Sequence, residues 1–177
     1  MTPNNPFPNK DDVIIITTGG TIEKTYDEVE GSLLNRESVV KQMILSRLRL
    51  PYTHLNVFTI INKDSLDFTD ADRLLLLNTL KAQSQMGLPI VVLHGTDTMS
   101  VSAEYVQQEM TDLNVPIVFT GAMRPMGFEN SDATQNVTEA MLAAKLLGPG
   151  IYISFHNRIF TVPGVRKNKL TRTFETF

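Results

Sequence analysis

The chain has 177 residues, 42% hydrophobic and 20% charged, which places it among folded globular proteins and excludes a disordered one. Its formal net charge of -3 offers no basic excess to neutralise phosphates, so nucleic acid is not an expected partner. With no cysteine there is no disulfide, no thiolate metal ligand and no cysteine nucleophile. No apolar run approaches the roughly 20 residues that cross a bilayer, so no membrane association is expected.

In chain order, residues 1–11 read as a flexible lead-in, rich in Pro and Asn. They lack the apolar stretch of a secretory signal, and a cytoplasmic location is expected. Residues 12–177 are expected to form a single α/β domain. Val13–Thr17 is β-branched and reads as a buried strand. Residues 24–34 are polar and read as a surface loop. Val39, Val40, Met43, Ile44 and Leu48 follow helical spacing and predict a helix over 38–48. A strand is expected over 55–61. A helix over 69–86 has Thr69 as N-cap, Asp70 and Asp72 as solvated first-turn acids, and Leu74, Leu75, Leu77 and Leu80 as its buried face. Gly87 suits its C-terminal end.

A strand over 90–93, a helix over 101–110, a strand over 115–120, a helix over 131–147 and a strand over 151–155 follow. Strands alternating with helices imply parallel pairing through right-handed crossovers. The fold class is therefore α/β: a Rossmann-like or flavodoxin-like three-layer sandwich with a mostly parallel sheet of about five strands.

Two of these strands end in threonine-bearing segments: Thr17-Thr18-Gly19-Gly20-Thr21-Ile22 and His94-Gly95-Thr96-Asp97-Thr98-Met99. In parallel sheets ligands bind at the C-terminal ends of strands, so both segments face one crevice. The glycine pair before Thr21 allows a sharp turn and close approach of a substrate. A threonine hydroxyl needs a proton acceptor to become a nucleophile, and Tyr26, Lys24, Asp27 or groups from other loops are candidates. The alternative is that Thr21 merely caps a turn. Thr96-Asp97 is sharper, because an aspartate there can hold a substrate ammonium or orient a lysine. Lys167, after the last strand and its loop, is the best lysine; burial would make it a base, and a solvated surface charge is the alternative.

Asp64-Ser65 falls at the same sheet edge, where Ser65 and backbone N–H groups can bind a carboxylate; an ordinary turn competes with that reading. His94 is read as a hydrogen-bonded structural group. His54 and His156 lack the partner spacing of metal ligands, and no metal is expected. The glycines match neither a P-loop nor a dinucleotide fingerprint.

These segments together resemble the bacterial-type L-asparaginases. Thr18-Gly19-Gly20-Thr21-Ile22 is similar to their first signature and His94-Gly95-Thr96-Asp97-Thr98-Met99 to their second. Gly121-Ala122-Met123-Arg124-Pro125, Ser131-Asp132 with Asn136, Asp64-Ser65 and Val165-Arg166-Lys167 resemble further family segments, from about Val13 to Lys167. The resemblance implies a hydrolase that converts the side-chain amide of asparagine, or a related small amide, to the acid and ammonia. It implies Thr21 as the acylated nucleophile, and Thr96, Asp97 and Lys167 as a second relay with Lys167 as base. Ser65 and Asp97 would hold the substrate's α-carboxylate and α-ammonium, alongside Asp64.

The resemblance also implies an oxyanion hole from Thr96 and backbone N–H groups around Gly20, Thr21 or Gly95. The backbone of Ala122 would face the leaving amide. The family uses no metal or cofactor and is oligomeric, so a homo-oligomer is expected. Tyr26 lies nearer to Thr21 than the family's flexible-loop tyrosine does, and Leu66 stands where secreted relatives carry a polar contact. The chain resembles best the short, single-domain subgroup. A catalytically weak asparagine- or aspartate-binding module, or a partner subunit, is the alternative expectation.

Overall fold

The computed structural model describes residues 11–35, 38, 40, 42 and 45–177. Its strands are β1 (Asp11–Gly19), β2 (Thr25–Asp27), β3 (Ser32–Leu34), β4 (Thr53–Lys63), β5 (Ile90–Leu93), β6 (Pro116–Thr120), β7 (Gly150–Phe155), β8 (Arg158–Thr161), β9 (Val165–Asn168) and β10 (Thr173–Thr176). Its helices are α1 (Asp70–Ser84), α2 (Met99–Glu109) and α3 (Ala133–Leu146).

Six strands form one sheet in the order β4-β1-β5-β6-β7-β8. All pairs are parallel except β7 with β8. The expected α/β sandwich is therefore present, with one antiparallel edge strand added. Alternation along β1 separates two cores. Ile14 and Ile16 pack with residues of α1 and α2 on one face, and Val13 and Ile15 pack with residues of α3 on the other. Strands covered on both faces must be apolar on both, which is why β1 and β5 read as unbroken apolar runs. Parallel pairing brings the C-terminal ends of β1, β4, β5 and β6 to one edge, and the strand order reverses direction around β1.

Several elements differ from expectation. The stretch 24–34 is not a loop: β2 and β3 form an antiparallel hairpin, with Thr25 opposite Leu34 and Tyr26 opposite Leu33. Asp27 closes its turn by accepting the Val29 and Glu30 N–H groups at 2.8 and 2.9 Å, the turn chemistry expected of aspartate. The helix expected over 38–48 lies partly outside the described residues; within them, Val40 and Gln42 are in π-helical conformation and Leu45–Arg47 is a 3-10 turn.

On α1, Leu74 and Leu75 are exposed while Leu76, Leu77 and Leu80 are buried. Four consecutive leucines fit more than one helical phase, and Asp72 decides it. Asp72 is buried rather than solvated, completing a capping box with Thr69. It also binds Lys63 at 2.8 Å, turning its own face inward. Asp72, Leu76, Leu80 and Ser84 then follow as one buried i, i+4 row.

Candidate active site

The loop after β1 is built on two glycines with left-handed φ, Gly19 at 92° and Gly20 at 82°. A Cβ on Gly20 would lie 2.4 Å from the Gly95 Cα, and one on Gly95 would lie 2.6 Å from the Ser65 Oγ. The loops after β1, β5 and β4 therefore stack closely, with no room for side chains at these glycines. Gly121 extends the stack, since a Cβ there would meet the His94 carbonyl at 2.3 Å. Thr18 ties the layers together by donating from Oγ1 to the Leu93 carbonyl at 3.0 Å.

Thr21 heads a 3-10 turn, Thr21–Glu23, and Lys24 N–H donates to its carbonyl. The turn has Gly20 at its N-cap, so Thr21 is not spent on capping. Its side chain is half-buried. Among the described residues its hydroxyl has no hydrogen-bond partner.

Lys167 projects from β9. Its Nζ donates to Thr96 Oγ1 at 2.7 Å and to Asp97 Oδ1 at 3.0 Å. Lys167 and Asp97 are both partly buried and Thr96 is almost fully buried. Ser65 is buried too: its Oγ accepts the Thr98 N–H at 3.4 Å, and Thr98 Oγ1 donates to its carbonyl at 2.8 Å. Ala122 is buried in the loop after β6. The fold thus gathers Gly20, Thr21, Ser65, Gly95, Thr96, Asp97 and Lys167 at one edge, with Ala122 in the adjoining loop.

Asp64 stands at the same edge, at the N-cap of the Ser65–Asp67 turn. It accepts from Leu66 N–H at 3.0 Å and pairs with Lys24 Nζ at 2.5 Å. Burial pushes its pKa up, but the Lys24 hydrogen bond, the Leu66 N–H and the charges of Lys24 and Lys167 outweigh that and hold it below the usual carboxylate value. Lys24 is thereby committed to Asp64, and Asp27 to its turn, which removes two of the three neighbouring proton acceptors considered for Thr21. The third, Tyr26, is 65% exposed on the β2–β3 hairpin. It lines a groove of about 720 Å³ with Leu33, Pro125 and Phe128, apart from Thr96, Asp97 and Lys167.

Glu23 is a residue that sequence reasoning missed. It is fully buried, accepting the Gly19 N–H at 2.9 Å and the Ser38 hydroxyl at 2.5 Å. Burial pushes its pKa up against the hydrogen bonds of Ser38, Gly19 and Thr17. The signal was its place two residues beyond Thr21, on a turn too short to carry it into solvent. His94 is structural as expected: Nδ1 donates to the Gly95 carbonyl at 2.8 Å, and its ring lies 4.8 Å from that of Phe68. Burial lowers its pKa to about 4, so the ring is neutral at ordinary pH. Among the described residues no cluster of His, Asp and Glu is arranged to hold a metal.

Against known proteins, residues 12–177 match the family model described as "Asparaginase, N-terminal". An L-asparaginase of Thermococcus kodakarensis is 27% identical over 158 residues, covering 89% of this chain and 47% of that protein. A glutamyl-tRNA(Gln) amidotransferase subunit of Methanococcus vannielii is 28% identical over 153 residues, covering 86% of this chain and 36% of that protein. The solved thermostable L-asparaginase from Thermococcus kodakarensis superposes with a TM-score of 0.83 at 26% identity, covering 93% of this chain and 51% of that one. The chain thus spans about half or less of the length of these relatives. With matched residues running through every loop of the site, the chain belongs to the asparaginase family, corresponding to its N-terminal part.

Proposed function

We propose that this chain carries the reaction centre of an amidohydrolase that cleaves the side-chain amide of asparagine or a related small amide. The observation that supports it most is the position of Lys167 Nζ, which holds Thr96 Oγ1 and Asp97 Oδ1 together at the sheet edge that also carries Thr21. In this reading the Thr21 Oγ attacks the amide carbon and passes its proton to Thr96 Oγ1, whose own proton moves to the unprotonated Nζ of Lys167, the base of the relay. The tetrahedral oxyanion is held by preorganised N–H groups of the stacked glycine loops. The C–N bond breaks, ammonia leaves with the transferred proton, and an ester on Thr21 remains. Water then attacks the ester, giving the acid and free Thr21.

Ser65 and Asp97 serve the substrate's carboxylate and ammonium, Asp64 sets the Ser65 turn, and the Ala122 backbone faces the leaving amide. Tyr26 joins only if the β2–β3 hairpin folds inward. The steps as drawn use only side chains, backbone N–H groups and water, and a homo-oligomer would close the open side of the crevice. The test is ammonia release from L-asparagine, with Thr21→Ala abolishing it while the melting temperature is kept.

A second reading is favoured by the likeness to an amidotransferase component: the chain acts as an asparagine- or aspartate-binding module or as one part of a larger assembly. It predicts a rise in melting temperature with millimolar asparagine or aspartate and no ammonia release.

A further inference from the structure

Asp132, His156 and Thr173 form a continuous hydrogen-bonded chain beside the proposed reaction centre. Asp132 stands at the N-cap position of α3. Its carboxylate accepts the Met123 N–H at 3.0 and 3.1 Å and the Arg124 N–H at 3.1 Å, in the loop that carries Ala122. Asn136 Nδ2 reinforces that loop, donating to Asp132 Oδ2 at 3.0 Å and to the Gly121 carbonyl at 2.9 Å. Burial raises the Asp132 pKa, but the Met123 N–H, His156 and the Arg124 N–H together bring it below the usual carboxylate value.

On the other side, His156 Nε2 lies 2.8 Å from Asp132 Oδ2, and its Nδ1 lies 3.0 Å from Thr173 Oγ1. A carboxylate only accepts, so Nε2 donates to Asp132; in the neutral ring Nδ1 then accepts from the Thr173 hydroxyl. Thr173 opens β10, and the next residue, Phe174, is the register partner of Lys167 on β9. The histidine ring also packs 4.4 Å from that of Phe155, which meets the Phe174 ring edge-on at 4.9 Å. The His156 backbone has a φ of 48°, uncommon for a residue with a Cβ, and Asn136 Oδ1 holds it by accepting the His156 N–H at 3.1 Å.

We infer that His156 is a positioning residue, which fixes the Met123–Arg124 loop against the β9–β10 hairpin and so sets where Lys167 stands relative to the Ala122 backbone. The structural link is independent of the amidohydrolase reading; its consequence for rate rests on that reading. Misplacing a reacting group by about 1 Å lowers rate by up to about a hundredfold.

The test compares the chain with His156→Phe, which keeps the ring packing on Phe155 but removes both hydrogen bonds, and His156→Gln, whose amide can donate to Asp132 and accept from Thr173. The expected result for His156→Phe is a kcat for ammonia release about tenfold lower with KM within about twofold. His156→Gln recovers most of the rate. Amide hydrogens of Met123, Arg124 and the β9–β10 ladder exchange faster together in the Phe variant. Wild-type kcat in His156→Phe, or faster exchange on one side of the link only, overturns the inference. If the wild-type chain releases no ammonia, the amidohydrolase reading fails by itself and exchange alone decides the link: paired acceleration supports it and unchanged exchange overturns it. Should the Phe variant not fold, Thr173→Val removes one end of the bridge and is read against the same outcomes.

Discussion

Gly20 and Gly95 touch backbone to backbone: a Cβ on Gly20 would fall 2.4 Å from the Gly95 Cα. This contact joins the two threonine-bearing loops, and it explains why each carries glycine beside its threonine. Gly20 also has a φ of 82°, so a side chain there meets both a clash and a strained backbone. Gly20→Ala is expected to cost about 2–4 kcal/mol. Denaturant unfolding measures it, and an unchanged midpoint would show that the loops are not in contact.

Lys167→Met removes the donor to Thr96 and Asp97 while keeping most of the volume. The proposed relay predicts a loss of at least about a hundredfold in kcat. A partly exposed pair of this kind contributes only about 1 kcal/mol or less to stability. Steady-state ammonia release and thermal melting of the same preparation separate the two effects. Loss of activity in step with loss of folded protein would mean that Lys167 is structural.

Asp72 titrates far below an ordinary aspartate, at about 2, through the Lys63 hydrogen bond first and then the Thr69 N–H and hydroxyl. A lowered carboxylate pKa means that the unfolded chain binds the proton more tightly. The resulting stability is present above about pH 4 and is lost as pH falls toward about 2. Asp72→Asn should therefore cost about 1–2 kcal/mol at pH 7 and progressively less at acid pH. Equal penalties at neutral pH and near the lowered pKa of about 2 in paired urea titrations would contradict this.

Glu23 carries the opposite sign. Burial raises its pKa, so the native state binds the proton more tightly than the unfolded chain. Its contribution is best at low pH and falls as pH rises through its ordinary value of about 4.3 toward the raised one. Glu23→Gln keeps an acceptor for the Gly19 N–H without a buried charge. The variant is expected to gain on the wild type in melting temperature as pH rises from about 4 to neutrality. A gap that closes or reverses with rising pH would contradict the assignment.

The sheet was legible because its strands are covered on both faces: Ile14–Ile16 and Ile90–Leu93 have no polar face to hide their period. The gathering of Thr21, Thr96 and Asp97 was legible because parallel strands deliver their C-terminal loops to one edge. Lys167 was singled out by its place after the last expected strand and by its resemblance to a family segment, but the β9–β10 hairpin that aims it was not legible, since its four-residue strands have no strong apolar alternation. The phase of α1 was missed because it is set by Asp72 binding Lys63, a tertiary contact from a neighbouring strand. The β2–β3 hairpin was missed because its three-residue strands are largely exposed and leave no hydrophobic period. His156 was read only as lacking the spacing of a metal ligand; its partners lie 24 and 17 residues away, a spacing that no local motif encodes.

The central claim is that Thr21 is the nucleophile of an amide-hydrolysing centre. Ammonia release from L-asparagine by the purified chain, with Thr21→Ala measured beside it, tests this most directly. The account predicts release by the wild type and none by the variant at an unchanged melting temperature. Undiminished release by Thr21→Ala would contradict it.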